Sequence, residues 1–363
     1  MIKSGRKAFL VVIQTTQASP AFLEESLAEM KELADSAGRE VVGSMQAHLP
    51  HPSASHFLRE GKLNELKTQT VRTGAETVIF NLDLTPGQAR NIEGFLKIRV
   101  MDRNGLILEI FARRAKSSEG KLQVELARLN YILPRLGGLG TVLSRLGGGI
   151  GTRGPGEPEL EWDRRKIRRR IESVKDQLKK VAKHRDLLRA GRRKRNFTSV
   201  AIVGYTNAGK STLFNALTGA DAYVENKLFA TLETKTRVQT INGRHDLLFI
   251  DTVGFIKQLP HSLIEAFHAT LEEVTEADIL IHVLDVSHSN AEDCRLAVSQ
   301  VLEEIKAAEK PVILALNKTD LLNDDEKRRM RETWPEGVLI SAKAGTGFEN
   351  LMNAVLKTAS LDV

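Results

Sequence analysis

The chain has 363 residues, 41% of them hydrophobic and 27% charged, which is enough for two or three domains, each with its own core. No apolar run reaches the ~18 residues of a membrane-spanning helix, residues 1–6 lack the apolar run of a secretory leader, and the single cysteine, Cys294, closes no internal disulfide, so a reducing, cytosolic compartment is expected. The net charge of +7 is unevenly spread: residues 161–195 hold 16 Lys or Arg against 5 Asp or Glu, a local +11 that leaves −4 elsewhere and implies a polyanionic partner.

From the N-terminus, residues 8–15 form an apolar run with β-branched members and read as a strand. Residues 21–37 place Phe22, Leu23, Leu27, Met30, Leu33 and Ala34 at helical spacing, with Ser19 before Pro20 as a start signal. A strand is expected over 41–48, a helix over 62–72, a strand over 77–81, a helix over 86–96 with Pro86 in its first turn, and a strand over 98–101. Strands alternating with helices imply a small parallel α/β domain over residues 1–115, without a phosphate loop. His48, His51 and His56 lie close in sequence, but the stretch holds two prolines and no helical register, so exposed loop histidines are expected rather than a metal site.

The pattern changes near Ser117. Leu122, Leu126, Leu129, Leu133 and Leu136 follow a 4-3-4-3 spacing, and Ile167, Ile171, Val174, Leu178, Val181 and Leu188 form a second such seam. Two narrow seams predict an antiparallel helical hairpin over residues 116–195, with Pro134 disturbing the end of its first helix. The connection, residues 137–158, contains nine glycines and is too glycine-rich for a continuous helix. A plain linker gains nothing from Arg145 and Arg153 among those glycines, whereas a loop approaching a nucleic-acid backbone needs both features. Arg164, Arg165, Arg168, Arg169, Lys175, Lys179 and Lys183 give the second helix an excess of one sign, unlike the mixed charges of a merely solvated face. Arg145, Arg153, Arg164, Arg165, Arg168 and Arg169 are therefore candidate RNA contacts, salt-sensitive and largely blind to base sequence.

Residues 196–363 alternate strand and helix again and are expected to form a doubly wound α/β domain. An apolar strand, 200–203, runs into Gly204-Tyr205-Thr206-Asn207-Ala208-Gly209-Lys210-Ser211 and then a helix from Thr212. This is a phosphate loop in its required context. The glycines let backbone N–H groups converge on phosphates, Lys210 reaches the β- and γ-phosphates, and the Ser211 hydroxyl holds Mg²⁺. A strand over 247–250 leads to Asp251-Thr252-Val253-Gly254, where Asp251 is placed to bind Mg²⁺ through water and the Gly254 N–H to meet the γ-phosphate. A strand over 312–316 leads to Asn317-Lys318-Thr319-Asp320. The Asp320 carboxylate can accept from N1–H and the 2-amino group of guanine, which adenine does not offer, while Asn317 is expected at the O6/N7 edge and the Lys318 stem along the base. Ser341-Ala342-Lys343, after a strand over 338–340, is placed to offer backbone N–H to O6. Within Phe229-Ala230-Thr231, Thr231 is the choice for a threonine sensing Mg²⁺ and the γ-phosphate, with Thr234 and Thr236 as competitors. Phe255 follows Gly254 where many regulatory GTPases carry a water-positioning Gln, so no catalytic residue is assigned and slow intrinsic hydrolysis is expected.

The phosphate loop, Phe-Ala-Thr-Leu from Phe229, Asp-Thr-Val-Gly-Phe-Ile from Asp251, and above all Gly-Thr-Arg-Gly-Pro-Gly-Glu-Pro-Glu-Leu-Glu-Trp-Asp-Arg-Arg from Gly151 to Arg165 resemble the HflX family over nearly the whole chain. The resemblance implies a monomeric cytoplasmic GTPase that binds the large ribosomal subunit and its rRNA and splits ribosomes in the GTP state, often under stress, with residues 137–165 approaching the peptidyl-transferase region. An assembly or quality-control factor without splitting activity, and an RNA-binding module with GTP as structural ligand, are the alternatives. Weak membrane association stays open. Some relatives bind ATP through the N-terminal region, to which no motif here assigns residues. Several carry a further C-terminal domain, whose contribution is expected to be absent or moved elsewhere in a chain ending at Val363. Related GTPases with Asn at the position of Asn207 coordinate K⁺ there, so K⁺ stimulation is a further expectation.

Overall fold

The computed structural model describes residues 7–15, 21–138, 159–193, 197–220, 227–232, 234–241, 243–257, 268–288 and 290–361. The chain packs as two compact units, Met1–Arg113 with Lys121–Leu178, and Arg114–Gly120 with Lys179–Val363. Each is taken by itself.

The first unit contains β1 (Lys7–Gln14), α1 (Ala21–Ser36), β2 (Glu40–His48), α2 (Glu60–Thr73), β3 (Thr77–Phe80), α3 (Pro86–Leu96), β4 (Arg99–Met101) and α4 (Arg103–Arg114). The sheet order is β2-β1-β3-β4 and every pair is parallel. Ala8 to Ile13 are all buried, because a central parallel strand is covered on both faces, and this explains the unbroken apolar run. Phe9, Val11, Ile13, Val78 and Phe80 pack with Leu66 of α2 and Ile92 of α3, and each such burial contributes about 1.5–3 kcal/mol. Helix α3 starts where the sequence places it: the Thr85 hydroxyl accepts from the Gln88 N–H, and the Gln88 side chain accepts in return from the Thr85 N–H. Helix α4 is an addition to the sequence reading. Seven of its residues, Arg103 and Phe111 among them, are buried, a larger share than in α3, so its polar face is narrow. His48 and His51 are exposed, and His56 shares a 3.0 Å hydrogen bond with Ser55.

The helical segment comprises α5 (Ser118–Ile132), a 3-10 turn (Leu133–Gly138) and α6 (Glu159–Arg193), and it is divided between the two units. Pro134 sits in the 3-10 turn, where a missing N–H costs least. The seam on α5 differs from the leucine heptad. Val124 and Ala127 are its most enclosed apolar residues, with Leu122, Leu126 and Leu129 half-buried. On α6, Ile171 and Val174 are buried as the spacing predicts. Arg170 grips the Glu125 carboxylate with two bonds of 2.6 and 2.8 Å, joining α6 to α5 across 45 residues of chain. At the start of the glycine-rich connection, Asp102 accepts from the Tyr131 hydroxyl at 2.8 Å and from Arg135 at 2.7 Å. Burial, then the Asp102 charge, pushes the Tyr131 hydroxyl far above its ordinary pKa.

The second unit contains β5 (Thr198–Gly204), α7 (Lys210–Thr218), β6 (Lys235–Ile241), β7 (His245–Asp251), α8 (His268–Glu276), β8 (Ile279–Asp285), α9 (Ala291–Glu304), β9 (Val312–Asn317), α10 (Asp324–Thr333), β10 (Val338–Leu339) and α11 (Phe348–Thr358). Its sheet runs β10-β9-β8-β5-β7-β6, with only β6 antiparallel. Val200 and Ile202 share a core with Leu213 and Phe214 of α7 and Leu351 and Val355 of α11. Leu284, Leu314 and Leu316 form a separate core with Trp334. Apolar cores on both sides of a mostly parallel sheet make the doubly wound α/β arrangement, whose strand ends open a crevice for ligands. Arg185 of α6 pairs with Glu119 at 3.0 Å and Glu272 at 3.1 Å within this unit.

Candidate functional site

The loop between β5 and α7 has the backbone that its glycines predict. Gly204 and Gly209 have φ of 153° and 99°, and a Cβ on either would strike the Val283 carbonyl or the Asn317 amide. Asn207 holds φ of 62° without being glycine, a conformation Asn tolerates better than most residues. The N-terminus of α7 follows at once, so its free N–H groups and dipole favour an anion. A pocket opens here, lined by Thr206, Asn207, Gly209, Lys210, Ser211, Thr212, Phe229, Ala230, Thr231, Thr252 and Gly254, all singled out from the sequence, and by Lys227, which was not. Lys227 lies four residues before Thr231 with no motif of its own; its charge was the available signal.

Lys210 is 6% exposed and donates to the Tyr205 carbonyl at 2.7 Å. Burial draws its ammonium down to about 8, with partial support from the Asp251 carboxylate. Burial also raises the Asp251 carboxyl, opposed by the Ser211 hydroxyl and then by Lys210. A buried cation beside such a pocket is the electrostatic complement of a polyphosphate.

Three oxygen-bearing side chains converge beside it. The Ser211 hydroxyl lies 2.7 Å from the Thr231 hydroxyl and donates to Asp251 Oδ2 at 2.7 Å. Of the three threonines left open by the sequence, Thr231 is the one set against Ser211, while Thr236 sits in β6 opposite Ile250. Asp251 Oδ1 is buried without a hydrogen-bond partner among the described residues. Two hydroxyls and a carboxylate with one unpartnered oxygen fit a hard divalent cation of the Mg²⁺ type. When bound, Mg²⁺ supplies charge neutralisation at the phosphates. The chain's own part is to hold Ser211, Thr231 and Asp251 together from three separate segments.

Gly254 approaches the loop closely: a Cβ there would lie 2.9 Å from Thr206 Cα and 3.0 Å from Lys210 Nζ. Phe255 is fully buried. Its N–H donates to the Gly204 carbonyl at 3.1 Å and its carbonyl accepts from the Thr206 N–H at 2.8 Å. The Lys257 N–H donates to the Tyr205 hydroxyl at 3.1 Å. Phe255 is thus stitched to the phosphate loop by two backbone bonds, and Lys257 by one bond to the Tyr205 side chain. With its ring sealed in the core, Phe255 is in no position to orient water. Thr252, also fully buried, donates to the Ile202 carbonyl at 2.7 Å, and the Val253 and Ala208 side chains are buried as well.

At the other end, Asp320 Oδ1 accepts from the Ser341 hydroxyl at 2.6 Å, and the Ala344 N–H donates back to Ser341 at 3.0 Å. Thr319 anchors the loop by donating its hydroxyl to the Ile340 carbonyl at 2.9 Å. Lys318, at φ of 65°, pairs with Asp285 at 2.6 Å; Asp285, at the end of β8, is a partner the sequence reading missed. Asn317 is held by partners from two other loops. Its amide donates to the Ala208 carbonyl at 2.8 Å and accepts from the Ala342 N–H at 2.9 Å, joining the two loops. Asn317 is 2% exposed, and an amide so enclosed takes partners in the protein. Lys343 lies in the exposed turn after Ala342.

Of the candidate RNA contacts, Arg145 and Arg153 lie outside the described residues. Arg164, Arg165, Arg168 and Arg169 stand on α6. Arg164 and Arg168 share Glu161 at 3.8 and 3.5 Å, so part of this face carries the mixed charge of a solvated helix. No helix among the described residues is long and apolar enough to cross a membrane.

Three family models match in succession: "GTP-binding GTPase N-terminal" over residues 24–112, "GTP-binding GTPase Middle Region" over 114–192, and "50S ribosome-binding GTPase" over 199–318. The GTPase HflX of Caldanaerobacter subterraneus subsp. tengcongensis is 48% identical over 98% of this chain and 81% of its own length. That of Escherichia coli is 44% identical over 99% of this chain and 84% of its own. Among solved structures, SsGBP in complex with GDP is 28% identical, with a TM-score of 0.50 and 98% of each chain covered. Identity at this level, sustained along nearly the full sequence and carried by a P-loop GTPase fold, places the chain in the GTPase HflX family.

Proposed function

We propose that this GTPase binds the large ribosomal subunit through rRNA and separates ribosomes into subunits in its GTP state, in recycling of stalled or stressed ribosomes in the cytoplasm. The carrying observation is the local +11 of residues 161–195, most of it on one long helix, Glu159–Arg193, that the glycine-rich segment precedes and the nucleotide fold follows. In this reading the chain, a monomer, works as three parts: residues 1–115, the basic hairpin 116–195, and the nucleotide-binding 196–363. Residues 204–212, 229–231, 251–254, 317–320 and 341–343 hold GTP or GDP, Ser211 and Thr231 bind Mg²⁺ directly and Asp251 through water, and Arg145, Arg153, Arg164, Arg165, Arg168 and Arg169 contact RNA. Asn207 adds a K⁺ ion between the phosphates. GTP binding energy separates the subunits and hydrolysis resets the factor.

Sedimentation of intact ribosomes with this protein and a non-hydrolysable GTP analogue tests the reading. Free subunits are expected; ribosomes that bind the protein and stay intact favour an assembly or quality-control role. The buried Phe255 supports a second reading, an RNA-binding module with GTP as a structural ligand. Ribosome-stimulated hydrolysis would exclude it.

A further inference from the structure

Trp162 lies near the start of α6 with 56% of its surface exposed. Burying a tryptophan is worth several kcal/mol in a core, so an exposed one on a helix invites a partner. Its surroundings are selective. Lys166, one turn on, holds its ammonium 5.2 Å from the ring centroid. Arg169 follows at i+7, so Trp162, Lys166 and Arg169 form one stripe. Several of its neighbours on the helix are answered: Arg164 and Arg168 by Glu161, Arg170 by Glu125, Lys175 by Glu172. Among the described residues no carboxylate lies within ion-pair distance of Lys166 or Arg169. Acidic partners quieten other parts of α6 and leave uncompensated the stripe that carries the indole.

We propose that Trp162 is a stacking platform for an unpaired RNA base, with Lys166 and Arg169 gripping the phosphates on either side. Aromatic rings accept any base face, and interleaved cations follow the backbone; this pairing is how single strands are held without sequence readout. An A-form duplex offers phosphates but keeps its bases stacked, so it engages the cations alone. The proposal deepens the RNA-binding reading of α6 and rests on it: it adds that the RNA met there is single-stranded or carries a flipped base.

The two tryptophans make the test direct, because Trp334 is 8% exposed and Trp162 is open to quenching. The full chain is titrated with a 12-mer of oligoadenylate, with an abasic 12-mer, and with an RNA duplex of equal phosphate number. Saturable quenching by oligoadenylate is expected, absent with the abasic strand and the duplex, and lost in Trp162→Phe, where Trp334 alone reports. Affinity for oligoadenylate, read by fluorescence anisotropy of a labelled strand, is expected to fall about 5- to 100-fold in Trp162→Ala and less in Trp162→Phe, with duplex affinity unchanged. Lys166→Ala and Arg169→Ala should weaken both ligands and each lower the salt slope by about one. Oligoadenylate binding that is equal in Trp162→Ala and the parent overturns the stack and leaves the RNA-binding reading standing. Failure of the parent to bind any of the RNAs overturns both. A blue shift with phosphatidylglycerol vesicles and none with oligoadenylate assigns the stripe to a membrane surface instead.

Discussion

His282→Leu is the substitution whose outcome follows most directly from the structure. His282 lies on β8 between Leu280 and Leu284 on the same face of the strand, 4% exposed, with Nε2 lacking a hydrogen-bond partner among the described residues. Burial, then the charges of Arg295 and Lys210, draws its pKa from 6.5 to about 4. The unfolded chain therefore binds a proton that the folded chain refuses between these values. Stability from this group is complete above about pH 6.5 and falls as pH drops toward about 4. Between pH 7 and pH 5 the loss comes to about 2 kcal/mol. Leucine fills a similar volume and does not titrate. Unfolding in urea at both pH values, followed by Trp334 emission in a Trp162→Phe background, gives the loss for each protein. The difference of the two losses removes every other titrating group. The parent should lose about 2 kcal/mol more than His282→Leu, which should also gain about 1 kcal/mol at pH 7 from removal of an unpaired buried nitrogen. Parallel losses would refute the view of His282 as a neutral, dehydrated imidazole.

Asp320→Asn removes the acceptor proposed for the guanine N1–H and 2-amino group, so GDP affinity by calorimetry should fall about 5- to 150-fold, equivalent to 1–3 kcal/mol; unchanged affinity would move base recognition elsewhere. Thr231→Ala should leave GDP binding nearly intact and cost the Mg²⁺-dependent GTP complex about 1 kcal/mol, and a matched loss for both nucleotides would make Thr231 merely structural. Gly254→Ala forces a methyl to 2.9 Å from the Thr206 backbone, so ribosome-stimulated hydrolysis should drop at least about tenfold, or 1.4 kcal/mol of barrier, with GDP affinity held; normal turnover would show that the close approach is dispensable. GTP hydrolysis should be faster in potassium than in sodium, a difference abolished in Asn207→Ala, and equal rates in the two salts would remove the K⁺ site.

The parts legible in the sequence are those where local chemistry dictates the backbone. Pro86 and the Thr85–Gln88 box define α3 residue for residue, and the glycines of the phosphate loop announce a turn no other residue fits. Legibility ends where burial is two-sided or where partners are distant. Helix α4 is buried over most of its residues, which leaves it only a narrow polar face. Edge strand β6, Lys-Thr-Arg-Val-Gln-Thr-Ile, is too exposed for an apolar run and is defined only by its pairing with β7. On α5 the leucine spacing is real, yet the tightest positions go to Val124 and Ala127, a matter of space that periodicity does not encode. The stitches from Phe255 to Gly204 and Thr206 are backbone to backbone, and every sequence is capable of those.

The Asn317 amide makes the site a gauge of length as well as a reader of chemistry. One planar group spans from Ala208 in the phosphate loop to Ala342 in the loop after β10. Its two bonds set the distance between the phosphate loop and the segment proposed to meet the base. A nucleotide whose base is drawn out of register must then either strain that spacer or lift its phosphates away from Lys210. Discrimination against the wrong base would register at the far end of the ligand, in the alignment of its reacting phosphate.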